Sequence, residues 1–148
     1  MNRRFPLYIN LNGRKVLVYG GGTIAARRCR VLSGFGPQIT VIAPEICPEI
    51  RALPGIVCRE ESFSEDHMPE AVLILAATGN RAVNQAIVAA ARARGIPVND
   101  ASDQNACDFH FPAIALRDPL VVGINAGGKD HGLVARAAAA IRELLDGL

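Results

Sequence analysis

The hydrophobic period along these 148 residues switches repeatedly between strand-like runs and helix-like spacing. Lys15–Tyr19 (KVLVY) is a short continuous apolar run followed by Gly20, Gly21 and Gly22, the pattern of a strand buried on both faces. Behind it, Ile24, Ala25, Cys29, Val31 and Leu32 recur at near-helical spacing while Arg27, Arg28 and Arg30 fall largely on the other side, and Gly34 and Gly36 stop the helix. Gln38–Ala43 reads as a second strand. Residues 45–53 predict a short helix, 56–59 a short third strand, and the acidic, Ser-containing stretch 60–70 a surface loop. Residues 71–77 (AVLILAA) form the clearest buried strand. An Ala-rich helix over 80–94 follows, ended by Gly95, and a fifth strand starts over 97–99. Strands alternating with helices at this spacing predict a parallel sheet covered on both faces, with right-handed crossovers.

The pattern changes after Asp100. Residues 100–108 read as a polar loop. The apolar runs 109–116 and 120–124, separated by Arg117, Asp118 and Pro119, predict a hairpin. Residues 132–145 form a last Ala-rich helix exposing Arg136, Arg142 and Glu143. The expected fold class is therefore α/β, a doubly wound parallel sheet followed by a C-terminal β-hairpin and helix. The expected division is a nucleotide-binding domain over 1–108 and a hairpin-and-helix region over 109–148.

Composition narrows the function classes. Half the residues are hydrophobic and a fifth are charged, which suits one compact core, and 16 Lys and Arg against 14 Asp and Glu give a net charge of +2. That balance argues against a bulk polyanion such as nucleic acid as partner. With 5% aromatic residues and no Trp, stacking platforms for single strands are not expected either. The apolar runs are too short to span a bilayer, and Pro6 sits where a signal sequence would have its apolar centre, so a soluble cytoplasmic protein without membrane partner is expected. Cys29, Cys47, Cys58 and Cys107 are irregularly spaced without a C-x-x-C pair, which predicts reduced, mostly buried thiols rather than a zinc or redox site.

The chemistry-bearing motif is Gly20-Gly21-Gly22-Thr23-Ile24-Ala25, a Gly-x-Gly-x-x-Ala pattern between a buried strand and an amphipathic helix, the context that makes it a dinucleotide-binding fingerprint. Gly20 permits the tight turn, Gly22 lets the backbone approach a diphosphate, and Ala25 allows close helix-sheet packing. Amides near Thr23 and Ile24 supply donors for the anion. Glu45, just beyond the second strand, is the candidate acceptor for the ribose hydroxyls, and NAD is favoured over NADP. Thr78, Gly79 and Asn80 follow the fourth strand, where ligands rest in parallel sheets. A glycine turn without any nucleotide is the competing structural reading, and Arg27 and Arg28 read as surface charges.

Residues 5–11 (FPLYINL), 15–25 (KVLVYGGGTIA), Val41 to Pro44, Ala76 to Thr78 followed by Asn84, Val98-Asn99, 107–113 (CDFHFPA) and Gly127-Gly128 together resemble the siroheme-synthase dehydrogenase domain, the precorrin-2 dehydrogenase family. Some members are also sirohydrochlorin ferrochelatases. The resemblance implies a Rossmann-type NAD-binding fold and a homodimer formed through the hairpin and last helix. It also implies oxidation of precorrin-2, a tetrapyrrole, to sirohydrochlorin, with NAD taking a hydride while a proton leaves. It places the substrate cleft over the loops after the fourth and fifth strands, with Asn99, Asn125, Gly127, Gly128, Lys129 and His131 as candidate contacts.

The chain departs from the family at informative positions. The family's acid/base Asp aligns with Ser102, so Asp103, which follows it, or Asp100, two residues before, is expected to take that role, with Asp103 preferred. Asp103 also reads as an Asx-turn residue. Ala126 replaces a Ser, and Asp130-His131 replaces a Ser-Pro pair. The family's helical continuation is missing from these residues, implying a short member or a lid supplied by a partner. No compact metal-ligand cluster is expected, so dehydrogenase chemistry is expected ahead of iron chelation. His110 reads as a half-buried histidine and His67 as solvated, while Lys129, Arg117 and Arg136 are candidate partners for substrate carboxylates. A non-catalytic dinucleotide-binding sensor or partner module is the main alternative, and a small dehydrogenase of another substrate a further one.

Overall fold

In the computed structural model, which describes residues 3–148, β1 (Lys15–Tyr19) is buried at every position from Val16 onward. It lies in the middle of a five-stranded sheet of order β3-β2-β1-β4-β5. Its neighbours are β2 (Gln38–Ala43) on one side and β4 (Leu73–Ala76) on the other, with β3 (Val57–Glu60) and β5 (Val98–Asp100) at the edges. All four pairings are parallel. The order reverses at β1, so the right-handed crossovers place α1 (Thr23–Ser33) and α3 (Arg81–Ala93) on opposite faces. The result is the Rossmann-type doubly wound sheet expected from the sequence.

Alternation along the strands sorts the core. Leu17, Tyr19, Ile42, Ile74, Ala76 and Val98 pack with Ile87, Val88 and Ala91 of α3. On the other face Val16, Val18 and Val41 point away from that cluster, and α1 buries Ala25, Ala26, Cys29 and Leu32.

Several element boundaries differ from expectation, each for a local reason. The helix expected over 45–53 is only α2 (Pro48–Arg51). Pro48 forces Cys47 to stay extended, at φ −67° and ψ 155°. The first hairpin strand, β6 (Ala113–Arg117), begins four residues late, because Pro112 has no N–H to contribute to a ladder. Its partner β7 (Leu120–Ile124) is as expected, in antiparallel register from Ala113↔Ile124 to Arg117↔Leu120. The acidic loop contains one 3-10 turn, Glu65–His67. Asp100, expected in a polar loop, is instead the last residue of β5 and only 2% exposed.

The chain divides into two compact units, one of Ile9–Phe109 and one of His110–Leu148 together with the N-terminal stretch ending at Tyr8. In the second unit, α4 (His131–Asp146) packs along β6, burying Ala115, Ala138 and Leu145. Arg142 donates to the Ile114 carbonyl (2.8 Å) and the Tyr8 hydroxyl to that of Val121 (2.9 Å). No helix among the described residues is long and apolar enough to cross a membrane.

None of the four cysteines forms a disulfide, and only Cys29 and Cys107 are buried; Cys47 and Cys58 are partly exposed, so the thiols are less buried than expected. Burial, and secondarily Cys58 and Cys47, pushes the Cys29 thiol up to about 12. A raised folded-state value means that the unfolded chain releases this proton first. The associated stability is full below pH 9 and is lost as pH rises toward 12. Urea unfolding between pH 9 and 10 should therefore show stability falling by up to about 1.4 kcal/mol per pH unit from this thiol. Cys29→Ala should flatten that slope, and an unchanged slope in the variant would refute the assignment.

Candidate functional site

The turn leaving β1 is shaped by two close backbone approaches. Gly20 has φ 128°, and a Cβ there would stand 2.1 Å from the Ala77 carbonyl oxygen. A Cβ on Gly21 would stand 1.8 Å from the carbonyl oxygen of Glu45. The chain is thus gripped between the segments that leave β4 and β2, and hydrogen bonds hold it there: Gly20 N to Ile42 O (3.1 Å) and Cys47 N to Gly21 O (2.8 Å). The sequence pattern assigned roles to Gly20 and Gly22 but none to Gly21. Its need for a bare backbone arises from the extended Glu45–Cys47 segment, which the expected helix would have removed.

Gly22 is the N-cap of α1 and has open space where a side chain would be. No side chain caps this helix, and no acidic residue lies in its first turn. The amides of Thr23 and Ile24 therefore begin a helix whose positive end is open to an anion. Ala25 is fully buried, and Ala26 N closes the first turn on Gly22 O (2.9 Å).

Beside this turn, within the Ile9–Phe109 unit, is a cavity of about 660 Å³. Tyr19, Ile42, Pro44, Phe63, Thr78 and Val83 contribute to its largely apolar wall, and Gly79 and Asn80 line it too. Its size and lining suit a flat heteroaromatic group. Phe63 meets Tyr19 edge-to-face at 5.3 Å between ring centroids. Burial raises the Tyr19 phenol above its ordinary value; Arg59 and Arg94 oppose this and Glu61 adds to it. Phe63 lies in the stretch expected to be an acidic surface loop, where a single aromatic among Ser and Glu gave no periodic signal. Glu45 is exposed beyond Pro44.

A hydrogen-bonded chain runs from the end of β4 to the end of β5. Asn80 caps α3 by accepting from Val83 N (3.1 Å). Fully buried Asn84 accepts from the Thr78 amide (3.1 Å) and hydroxyl (2.5 Å) and donates to the Ser102 Oγ (3.1 Å). Ser102 is exposed and donates to Asp100 Oδ1 through both its amide (2.8 Å) and its hydroxyl (2.6 Å). The other oxygen, Asp100 Oδ2, is buried without a hydrogen-bond partner. Asp103 is differently placed. Its Oδ1 accepts from Asn105 N (3.0 Å), capping the 3-10 turn Gln104–Ala106, and its Oδ2 lies 3.8 Å from Arg81.

Arg28, read from the sequence as a surface charge, is partly buried and donates to Asn99 Oδ1. Helical spacing put it opposite the apolar stripe, but its length carries the guanidinium to the end of β5. Burial pulls its pKa down, and attraction to Cys107 and Asp100 works against that. The Asn99 amide donates onward to Phe109 O (2.8 Å), so both ends of this side chain are engaged within the protein.

The remaining expected site residues lie in the other unit. Gly127 and Gly128 have φ of 66° and 72°. The turn is pinned by Asn125, whose Oδ1 accepts from Gly127 N (2.8 Å) and whose Nδ2 meets His110 Nδ1 (3.0 Å). His110 Nε2 is buried without a partner. Asp130 caps α4 through Leu133 N (2.8 Å), and Lys129 and His131 are exposed on either side of it. Among the described residues no group of three or more His, Cys, Asp or Glu could hold a metal ion.

A family profile described as "Putative NAD(P)-binding" matches residues 7–113. The chain is 37% identical over 145 residues to a siroheme synthase of Nitrosomonas eutropha, covering 95% of this chain and 30% of that protein. It is 44% identical over 128 residues to one from Psychrobacter arcticus, covering 84% and 23%. The chain thus spans less than a third of the length of these relatives. Among solved structures it matches one titled "SirC, precorrin-2 dehydrogenase", with TM-score 0.77 and 29% identity, covering 95% of this chain and 71% of the other.

Two alanine substitutions separate the glycine that the turn itself requires from the one that faces open space. Gly20→Ala strains φ and strikes a backbone oxygen, so it should cost about 2–4 kcal/mol in denaturant unfolding. Gly22→Ala, at φ −101° in open space, should change stability by about 1 kcal/mol or less while weakening nucleotide binding at least about tenfold by calorimetry. Unaltered affinity in the Gly22 variant would remove the diphosphate from this turn.

Proposed function

The chain belongs to the family of NAD(P)-binding domains shared by siroheme synthases and the precorrin-2 dehydrogenase SirC, and on that basis we propose that it oxidises precorrin-2 to sirohydrochlorin with NAD. The observation that carries this reading is the open, uncapped start of α1 at Gly22, with an apolar cavity lined by Tyr19, which leads into the glycine turn, and by residues at the ends of β2 and β4. The residues fit a dinucleotide. Gly20 and Gly22 clear the approach, the Thr23 and Ile24 amides hold the diphosphate, and the wall formed by Ile42, Pro44 and Phe63 takes the adenine. Thr78, Gly79 and Asn80 line the way toward the nicotinamide half. When bound, NAD supplies the hydride acceptor.

NAD rather than NADP is favoured by the charges at this end of the sheet. Glu45 is exposed, Glu60 ends the neighbouring strand and Glu61 follows it, with Arg51 and Arg59 already paired to them. A carboxylate accepts from ribose hydroxyls and repels a 2′-phosphate. For the substrate's carboxylates we propose the turn of Asn125, Gly127, Gly128, Lys129 and His131, which offers backbone amides and a cation; Asn99, buried and with both ends of its side chain engaged, is not free to join them. The exposed Leu116, Leu120, Leu133 and Leu144 of the second unit support a homodimer formed there; sedimentation as a monomer at micromolar concentration would exclude it.

One observation favours a second reading, a nucleotide-binding module without turnover: Asp103 is committed to capping a turn and facing Arg81. The two readings separate in one assay. Anaerobic incubation with precorrin-2 and NAD should yield NADH and sirohydrochlorin in equal amounts by absorbance, with NADP at least about tenfold poorer. Calorimetric NAD binding with no product would select the module.

A further inference from the structure

We propose that Ser102 and Asp100 act together as a proton relay, in which the exposed Ser102 hydroxyl receives the proton released by the substrate and passes its own to the buried Asp100 carboxylate. The inference rests on the dehydrogenase reading and supplies the proton acceptor that reading needs.

Geometry separates the three side chains of this loop. Asp100 is a carboxylate at the carboxyl end of a parallel strand, where ligands of such sheets bind, but at 2% exposure it is not open to a bulky substrate. Ser102 is exposed, and its Oγ donates to Asp100 Oδ1 at 2.6 Å, the short distance of a charge-assisted O–H···O⁻ bond. Asn84 donates to the same Oγ at 3.1 Å, which fixes the direction of the serine proton: it points to Asp100. An Oγ that accepts from Asn84 and donates to Asp100 keeps one lone pair for a proton arriving from outside. Asp103 lacks this arrangement, since one oxygen holds the turn and the other faces a cation.

The relay balances. As two electrons leave the macrocycle with the hydride, an N–H or C–H bond of the resulting cation breaks and its electron pair stays in the ring as π bonding. The proton bonds to Ser102 Oγ while the serine O–H breaks and its proton bonds to Asp100 Oδ1. Reversal toward water through the exposed serine resets the pair. The unpartnered Oδ2 fits this use, because buried acceptors without donors are rare and call for an explanation. The groups facing Asp100 are Arg28 from α1, which keeps the site from carrying bare negative charge, and the Cys107 thiol, which bonds its main chain. Within the loop, the remaining carboxylates are Asp103, which Arg81 of α3 faces, and Asp108, which pairs with Arg92 of α3 and accepts from Val98 N. Asn84 holds the relay to Thr78, and so to the nucleotide end of the sheet, as a positioning residue.

The test uses the whole chain. Asp100→Asn and Ser102→Ala should each lower kcat with precorrin-2 and NAD by about a hundredfold, with NAD affinity within twofold of wild type by calorimetry. The double variant should be no slower than either single one, because the two act as a unit. Ser102→Asp, which puts a carboxylate at the exposed position, should restore at least a tenth of the rate in the Asp100→Asn background. Should Asp100→Asn fail to fold, the exposed Ser102→Ala still decides the rate. The relay is overturned if wild type turns over and Ser102→Ala stays within threefold of it, if the losses multiply in the double variant, or if Asp103→Asn costs more than Asp100→Asn. A wild type that binds NAD but makes no product overturns the dehydrogenase reading and the relay with it.

Discussion

The grip on Gly20 and Gly21 is the constraint on which the rest of the nucleotide site depends. Two backbone oxygens, from Ala77 and Glu45, occupy the places where side chains at these positions would be. The turn out of β1 is held at the centre of the sheet by main-chain atoms of both neighbouring segments, so its shape does not depend on flexible side chains. A glycine turn costs backbone entropy on folding, and here contact on two sides offsets that cost. The same contact aims α1, placing its uncapped start where strand order reverses, the location at which open α/β sheets bind ligands.

A second consequence follows from Ala77. It leads directly into Thr78, whose amide and hydroxyl engage Asn84, and Asn84 in turn reaches Ser102. The glycine turn, the end of β4 and the end of β5 are therefore one connected polar assembly within a single compact unit. Such networks are strong when every member is satisfied. Here the unsatisfied atom is at the far end, Asp100 Oδ2, with the charge of Arg28 close by.

How much of this was legible in the sequence depended on whether the controlling contact was local. β1, β2 and the α1 stripe were readable because continuous apolar runs and helical spacing are set within a few residues, and Gly20, Gly22 and Ala25 because their motif sits in that frame. α2 is shorter than residues 45–53 suggest because Pro48 keeps Cys47 extended, and β6 starts later than the apolar run from 109 suggests because Pro112 has no N–H for the ladder. Long-range partners were not readable. Arg28 reaches Asn99, 71 residues away, and Asn84 reaches Ser102, 18 away; neither pairing has a spacing signature. The family resemblance marked position 102 as the place to look, but sequence alone could not say which neighbouring carboxylate serves it, since adjacency treats Asp100 and Asp103 alike. The fold separates them by ending a strand at one and starting a turn at the other.

Among the described residues, the buried polar side chains are Asn84, Asn99 and Asp100. Elsewhere the core is aliphatic with Tyr19 and the thiols of Cys29 and Cys107, so packing alone would favour apolar residues at these positions, where burying an amide or carboxylate is costly. All three lie around the carboxyl ends of β4 and β5, and each makes hydrogen bonds that fix a loop residue: Asn84 to Thr78 and Ser102, Asn99 to Phe109 while accepting from Arg28 of α1, Asp100 to Ser102. A fold that needed only stability would not concentrate its polar burial at one edge. The concentration is intelligible if those loops must hold one geometry against a bound substrate, because a loop fixed by buried hydrogen bonds loses little further freedom when a ligand arrives.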